Sequence, residues 1–211
     1  MITVHHLNHS RSHRILWLLE ELELPYEIAF YERDATLRAP AELRAVHPLG
    51  KSPVITEGAR TIAESGAIID YILRRHGHGR LVPPAGSDAY EEHQEWLHYG
   101  EGSGFTPFLL GIFVALTGTD SPALAGIVDA ETKLQLDYLD LRLGDKPYLV
   151  GDDLTGADIQ IGYVVDFADQ IGKLGDHPRL VAYAARLRDR PAYARALERG
   201  GPYDMTRFKG G

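Results

Sequence analysis

Apolar and polar positions follow one rhythm up to about residue 76 and another after about residue 88. In the first stretch short elements alternate. Residues 2–7 read as a strand. Over residues 12–23, Ile15, Leu16, Leu18, Leu19 and Leu22 form an apolar helical face, with Glu20, Glu21 and Glu23 opposite. Pro25 stops that helix. Residues 26–31 predict a second strand and residues 41–46 a short helical turn. Residues 53–56 and 61–63 predict two strands joined by the turn Glu57-Gly58-Ala59-Arg60. Ser65 is placed to cap a helix reaching Arg75, with Ile68, Ile69, Ile72 and Leu73 inward. The predicted order is βαβ, a connection, then ββα.

A Gly- and Pro-rich break over residues 76–88 interrupts any regular element. Beyond it only helical signals appear. A long helix starts near Pro122 and carries Leu134, Leu136, Leu139, Leu141 and Leu143. Thr155-Gly156-Ala157-Asp158 reads as a capping arrangement opening a helix with Ile159, Ile161, Val164, Val165 and Phe167. Pro178 and Pro191 each sit where a helix can begin. The expected division is an α/β domain over residues 1–78, a linker over 79–87 and an all-helical domain over 88–211.

Composition narrows the chemistry. The chain has 211 residues, no cysteine and a formal charge of -8. Without cysteine there is no disulfide, thiolate zinc site, iron–sulfur cluster or protein thiol nucleophile. The negative balance argues against nonspecific nucleic-acid binding, which needs a basic face. An anionic ligand therefore needs a local positive spot. The longest apolar run, residues 108–116 with Gly111 inside it, is about half of the ~20 residues that span a bilayer. The N-terminus lacks a cationic stretch followed by a long apolar one. These features predict a cytoplasmic protein with neither a nucleic-acid nor a membrane partner.

Several motifs carry candidate chemistry. Gly50-Lys51-Ser52 is not a phosphate-binding loop: the required upstream glycine is Ala45, and Pro53 stands where a helix should start. His5, His6, His9 and His13 read as surface or loop histidines with no metal role. Residues 8–14, between the first strand and the first helix, are more informative. There Ser10 or Ser12 faces a helix N-terminus, where backbone N–H groups and the helix dipole favour an anion. A serine that merely caps the helix is the alternative. Pro53 opens a strand where a cis peptide would aim the preceding residue's backbone outward. Glu64-Ser65 adds a carboxylate and a hydroxyl at a helix start. Three loops at element ends then assemble a site for a small, extended, charged molecule.

These segments resemble a known family. Residues 8–22 (NHSRSHRILWLLEEL), Leu49-Gly50-Lys51-Ser52-Pro53-Val54-Ile55, Ile62-Ala63-Glu64-Ser65-Gly66-Ala67-Ile68 and residues 149–158 (LVGDDLTGAD) resemble bacterial and fungal glutathione S-transferases, in order and spacing. The resemblance implies a thioredoxin-like N-terminal domain that binds reduced glutathione. A helical-bundle C-terminal domain then contributes a site for a small apolar electrophile, in a homodimer. It places the thiol-activating hydroxyl at Ser10, with Ser12 as fallback, and a cis-proline at Pro53. Ser52 would offer its backbone to the cysteinyl group. Glu64 and Ser65 would hold the γ-glutamyl end, and Lys51 would sit near the glycyl carboxylate. Tyr99, Phe105, Phe108 and Phe113 are candidates for the electrophile wall, with core packing the alternative. No metal is implied. Two departures from the family pattern are His47 and Ser52, where Asn and an apolar residue are usual. Glutathione-dependent peroxidase or disulfide reductase activity, a non-catalytic glutathione or hydrophobic-ligand binder, and a dimeric scaffold remain open.

Overall fold

A computed structural model describes residues 1–34, 36–201 and 203–206. The chain divides into two compact units. The first comprises residues 1–82 and 188–203, the second residues 83–187 and 204–211. The C-terminal helix thus packs with the N-terminal elements.

Unit 1 holds β1 (Ile2–Leu7), α1 (His13–Glu21), β2 (Tyr26–Tyr31), α2 (Ala41–Val46), β3 (Val54–Glu57), β4 (Arg60–Ala63), α3 (Ser65–His76) and the returning helix α9 (Pro191–Gly200). The sheet order is β2-β1-β3-β4. β1 and β2 run parallel, while β3 is antiparallel to both β1 and β4. Ile2, Val4, Leu7, Val54 and Ile55 from the sheet, Ile15, Leu16, Leu18 and Leu19 from α1, and Ile68, Ile69 and Ile72 from α3 are all buried. The helical members of this set are the ones the sequence rhythm predicts.

The polar face of α1 was the surprise. Glu20 is buried rather than solvated. Its Oε2 accepts from Arg195 at 2.9 Å, and its Oε1 accepts from Arg199 at 3.0 Å and from the Tyr26 hydroxyl at 2.8 Å. Burial raises the pKa of this carboxyl, but the bonds from Arg195, Tyr26 and Arg199 outweigh it and hold the group below its usual range. Beside it, Glu21 accepts from the Trp17 indole at 2.8 Å and pairs with Arg190. Helix periodicity exposes such a face only when no other element covers it. Here Arg195 and Arg199 of α9, with Arg190 just before it, reach this face from some 170 residues away in sequence.

Close approach at the end of α9 completes the enclosure. A Cβ on Gly200 would lie 2.5 Å from Leu16 Cδ1 and 3.3 Å from the His6 ring. A side chain there would force the buried Leu16 methyl and the His6 ring to shift, and the Gly200 carbonyl accepts from His6 Nε2 at 2.9 Å.

Unit 2 contains α4 (Asp88–Tyr99), a π-helical turn (Gly100–Gly104), α5 (Thr106–Thr117), α6 (Pro122–Leu143), α7 (Gly156–Gln170) and α8 (Pro178–Arg188). Residues 156–168 of α7 are buried throughout, so this helix is the unit's centre. Thr155 and Asp158 form the predicted capping box. The Asp158 carboxylate accepts from Leu149 N–H at 2.9 Å, Thr155 N–H at 2.8 Å and the Tyr183 hydroxyl at 2.7 Å. Pro178 and Pro191 do open helices. Ser65 does not cap α3: it is the first helical residue, and Glu64 occupies the cap position with no side-chain cap bond.

Gly200→Ala should destabilise the chain by about 1–2 kcal/mol, because overpacking outweighs the alanine's better helix propensity. Urea unfolding of the two proteins measures this; an unchanged midpoint would show that the α9 end is not closely held.

Candidate functional site

Strand directions bring the predicted loops of unit 1 to one end of the sheet. β1 and β2 both finish there, at Leu7 and Tyr31. β3 starts there at Val54, opposite His5, and β4 finishes there at Ala63, opposite Val54. Residues 8–12, 32–34, 36–40, 47–53 and 64 therefore emerge together. Ser10, Lys51, Ser52, Pro53, Glu64 and Ser65 share this end of the sheet.

Ser10 and Ser12 lie in the β1–α1 turn, and both are buried. Their Oγ atoms are 2.7 Å apart. Ser12 N–H also donates to Ser10 Oγ at 3.3 Å. Ser12 Oγ lies 2.9 Å from His6 Nδ1. Ser12 occupies the N-cap position of α1, but its side chain makes no cap bond. The predicted open N-terminus of α1 is not found. The N–H groups of His13, Arg14 and Ile15 already donate to the carbonyls of Ser10, Arg11 and Ser12. What α1 still offers an anion is its dipole and the serine pair.

His9 sits in the same turn with φ 49°, in the left-handed region. Arg33 clamps the turn. Its backbone N–H donates to Asn8 Oδ1 at 3.0 Å, its Nε to the Asn8 carbonyl at 3.2 Å and its Nη1 to the Leu37 carbonyl at 2.7 Å.

The second loop carries Ser52-Pro53, whose peptide bond is cis. The Ser52 hydroxyl donates to the His5 carbonyl at 2.9 Å, pinning the loop to β1. Gly50 precedes it with φ 56°, and a Cβ there would lie 2.6 Å from Arg44 Cγ. Lys51, between them, is exposed, with its ammonium in solvent as the local positive spot.

The third loop is a single residue. Glu64 adopts φ 72° and ψ 120°, outside every conformation a non-glycine residue ordinarily takes. Ile68 N–H makes the first backbone bond into α3, to the Glu64 carbonyl at 2.9 Å. The N–H groups of Ser65, Gly66 and Ala67 precede that bond, as at any helix start. By this general rule of helix starts, α3 is the better placed of the two helices to offer backbone donors to an anion.

The histidines differ from their surface or loop reading. His5, His6 and His13 are buried. Burial, chiefly, pushes His6 down to about 4 and His13 to about 3, so both rings are neutral at physiological pH. Among the described residues no group of three or more His, Asp or Glu is placed to hold a metal ion.

The aromatic candidates belong to unit 2. Phe105 and Phe108 are buried and pack on Phe167, with ring centroids 5.2 and 5.5 Å away. They serve the core. Tyr99 is half-buried and donates to Gln135 Oε1 at 2.7 Å. Phe113 is 53% exposed.

Comparison with known proteins bears on this architecture. The family pattern for "Glutathione S-transferase, N-terminal domain" matches residues 1–74, and that for the C-terminal domain matches residues 112–199. Glutathione S-transferase 3 of Schizosaccharomyces pombe is 34% identical, covering 99% of this chain and 91% of its own. The chain belongs to the glutathione S-transferase family.

Glutathione S-transferase 1 of Saccharomyces cerevisiae is 32% identical over 94% of the chain and 95% of its own length. The crystal structure of a glutathione S-transferase from Actinobacillus pleuropneumoniae superposes with a TM-score of 0.89 at 36% identity, covering 98% and 96% of the two chains. A sphingomonad glutathione S-transferase solved in complex with glutathione shares the fold, with a TM-score of 0.80 at 24% identity and 94% and 98% coverage. Three supports of the candidate site were not assigned to it from the sequence: His6, which reads as a surface or loop histidine, Arg33 and Gly200. Strand alternation did carry a signal for His6, which shares a face of β1 with the apolar Ile2 and Val4. Arg33 and Gly200 act through contacts remote in sequence, which no local pattern encodes.

Glu64→Gly should relieve the backbone strain and stabilise the chain by up to about 1 kcal/mol, since such strain costs about 1–3 kcal/mol and glycine's added entropy in the unfolded chain offsets part of it. Thermal unfolding reads this directly. A destabilised variant would mean that the Glu64 side chain contributes more to the fold than its backbone costs.

Proposed function

We propose that this glutathione S-transferase binds reduced glutathione at the sheet end of unit 1, stabilises its thiolate, and joins the sulfur to a small apolar electrophile. The observation that carries this reading is the convergence of an exposed ammonium, a strained carboxylate at a helix start and a buried hydroxyl pair at one end of the sheet. Glutathione has a carboxylate at its glycyl end, a thiol in the middle, and both an ammonium and a carboxylate at its γ-glutamyl end. Lys51 suits the glycyl carboxylate. The backbone of Ser52, beside Pro53, suits the cysteinyl amide. The Glu64 carboxylate suits the ammonium, and Ser65 with the first N–H groups of α3 suits the γ-glutamyl carboxylate. Ser10 is the donor to sulfur.

Chemistry then follows from charge. A free thiol with pKa about 8.5 is only a few per cent thiolate at neutral pH. A hydroxyl bond to a charged group is worth about 1.5–3 kcal/mol. The α1 dipole adds about 0.3–1 kcal/mol. Together these lower the thiol pKa by about one to three units, at about 1.4 kcal/mol per unit. The thiolate's lone pair attacks the electrophile, and the leaving group departs with its bonding pair. Ser10 keeps its proton and acts as a donor, neither base nor nucleophile.

The electrophile is assigned to unit 2. Of the proposed wall residues Tyr99, Phe105 and Phe108, only Tyr99 has surface to offer without repacking, and Phe113 joins it. Exposed Phe113 and Leu116 on α5, with Ile127 and Leu134 on α6, support a homodimer through an apolar contact. The described residues contain no helix long and apolar enough to cross a membrane. The proposed setting is the cytoplasm, and the proposed role is detoxification.

The test is the thiol pKa of bound glutathione, read from thiolate absorbance against pH. The native protein should show it depressed by at least one unit, and Ser10→Ala should raise it by about one unit or more while glutathione still binds. An undepressed thiol in the native protein would overturn the reading.

A further inference from the structure

We propose that His6 and Ser12 are positioning residues that make Ser10 the one hydroxyl able to turn toward the thiolate and bar Ser12 from that role. This rests on the reading of Ser10 as the thiol's partner. The direction of the hydrogen-bond chain is fixed at its inner end. A carbonyl oxygen only accepts, so the 2.9 Å contact with Gly200 makes Nε2 the protonated nitrogen of His6. Burial keeps this ring neutral, and Nδ1 therefore carries a lone pair. Ser12 Oγ, 2.9 Å away, donates to it. The Leu7 carbonyl is a second acceptor for that hydroxyl, but at 3.4 Å it is the weaker one, and the single proton of Ser12 goes to Nδ1 at 2.9 Å, which has no other donor among the described residues. The Ser12 oxygen must accept from Ser10, 2.7 Å away. The donors run in one sense, from Ser10 to Ser12 to His6 to the Gly200 carbonyl.

The two serines are therefore not interchangeable. Ser12 is fully buried, and turning its proton away would strip Nδ1 of its donor inside the fold. Ser10 can turn. Its oxygen keeps the Ser12 N–H at 3.3 Å, which holds it in place and polarises its O–H. The bond it gives up joins two neutral hydroxyls, and the bond it gains ends on a charged sulfur. Ser12 thus holds Ser10 with its backbone and competes for its proton with its side chain. Removing the Ser12 hydroxyl should then strengthen, not weaken, the bond to sulfur.

Two measurements on the full chain test this. Nitrogen NMR of the His6 ring at neutral pH should show Nε2 protonated and Nδ1 bare. A ring protonated at Nδ1, or at both nitrogens, would reverse the chain and overturn the proposal whether or not any variant folds. Thiolate absorbance of bound glutathione should give a thiol pKa about one unit or more higher in Ser10→Ala. In Ser12→Ala it should be lower than native by roughly half a unit, the worth of a lost competing hydroxyl bond. A rise in Ser12→Ala matching that in Ser10→Ala would overturn the ordering of the serines and leave thiolate stabilisation intact. A native thiol without depression would instead overturn the underlying reading, and the proposal with it.

Discussion

The approach of α9 to α1 and β1 at Gly200 is the contact on which the rest of unit 1 depends. It closes the second face of α1, places a carbonyl on His6 and so sets the direction of the hydroxyl pair at Ser10. Arg195 and Arg199 of α9 neutralise Glu20, and Arg190, just before that helix, neutralises Glu21. Fold and proposed site are coupled here: the residue that lets the helix close also anchors the hydrogen-bond chain that ends at Ser10, the proposed partner of the thiol.

Where local patterns governed, the sequence was legible. The four strands, the two helices between them, the helix that follows β4 and the helical run after residue 88 were all signalled by periodicity, prolines and caps. So was the Thr155–Asp158 box, because both partners lie within three residues. Glu20 was misjudged because amphipathicity says which face is polar, not whether a distant helix covers it. The serine turn was located correctly, but its open helix N-terminus was not found, because the tight first turn of α1 uses its own N–H groups. Buried histidines were read as surface ones since histidine alone gives no sign of its neighbours. The site loops were recognisable because each lies at an element boundary, and strand order alone then carries them to one edge.

Family membership and geometry support each other without being the same statement. Membership gives the fold and the class of enzyme. The geometry is compatible with an anionic tripeptide on a chain of net charge -8: an exposed Lys51, the start of α3 and the dipole of α1 oppose the overall charge at the proposed site.

The central claim is that binding at this site ionises the thiol. Calorimetric titration near neutral pH, repeated in buffers of different ionisation enthalpy, measures it. Reduced glutathione should bind at one site per chain and release a substantial fraction of a proton, whereas S-methylglutathione should bind and release none. Glutathione binding without proton release, or no binding at millimolar concentration, would contradict the account.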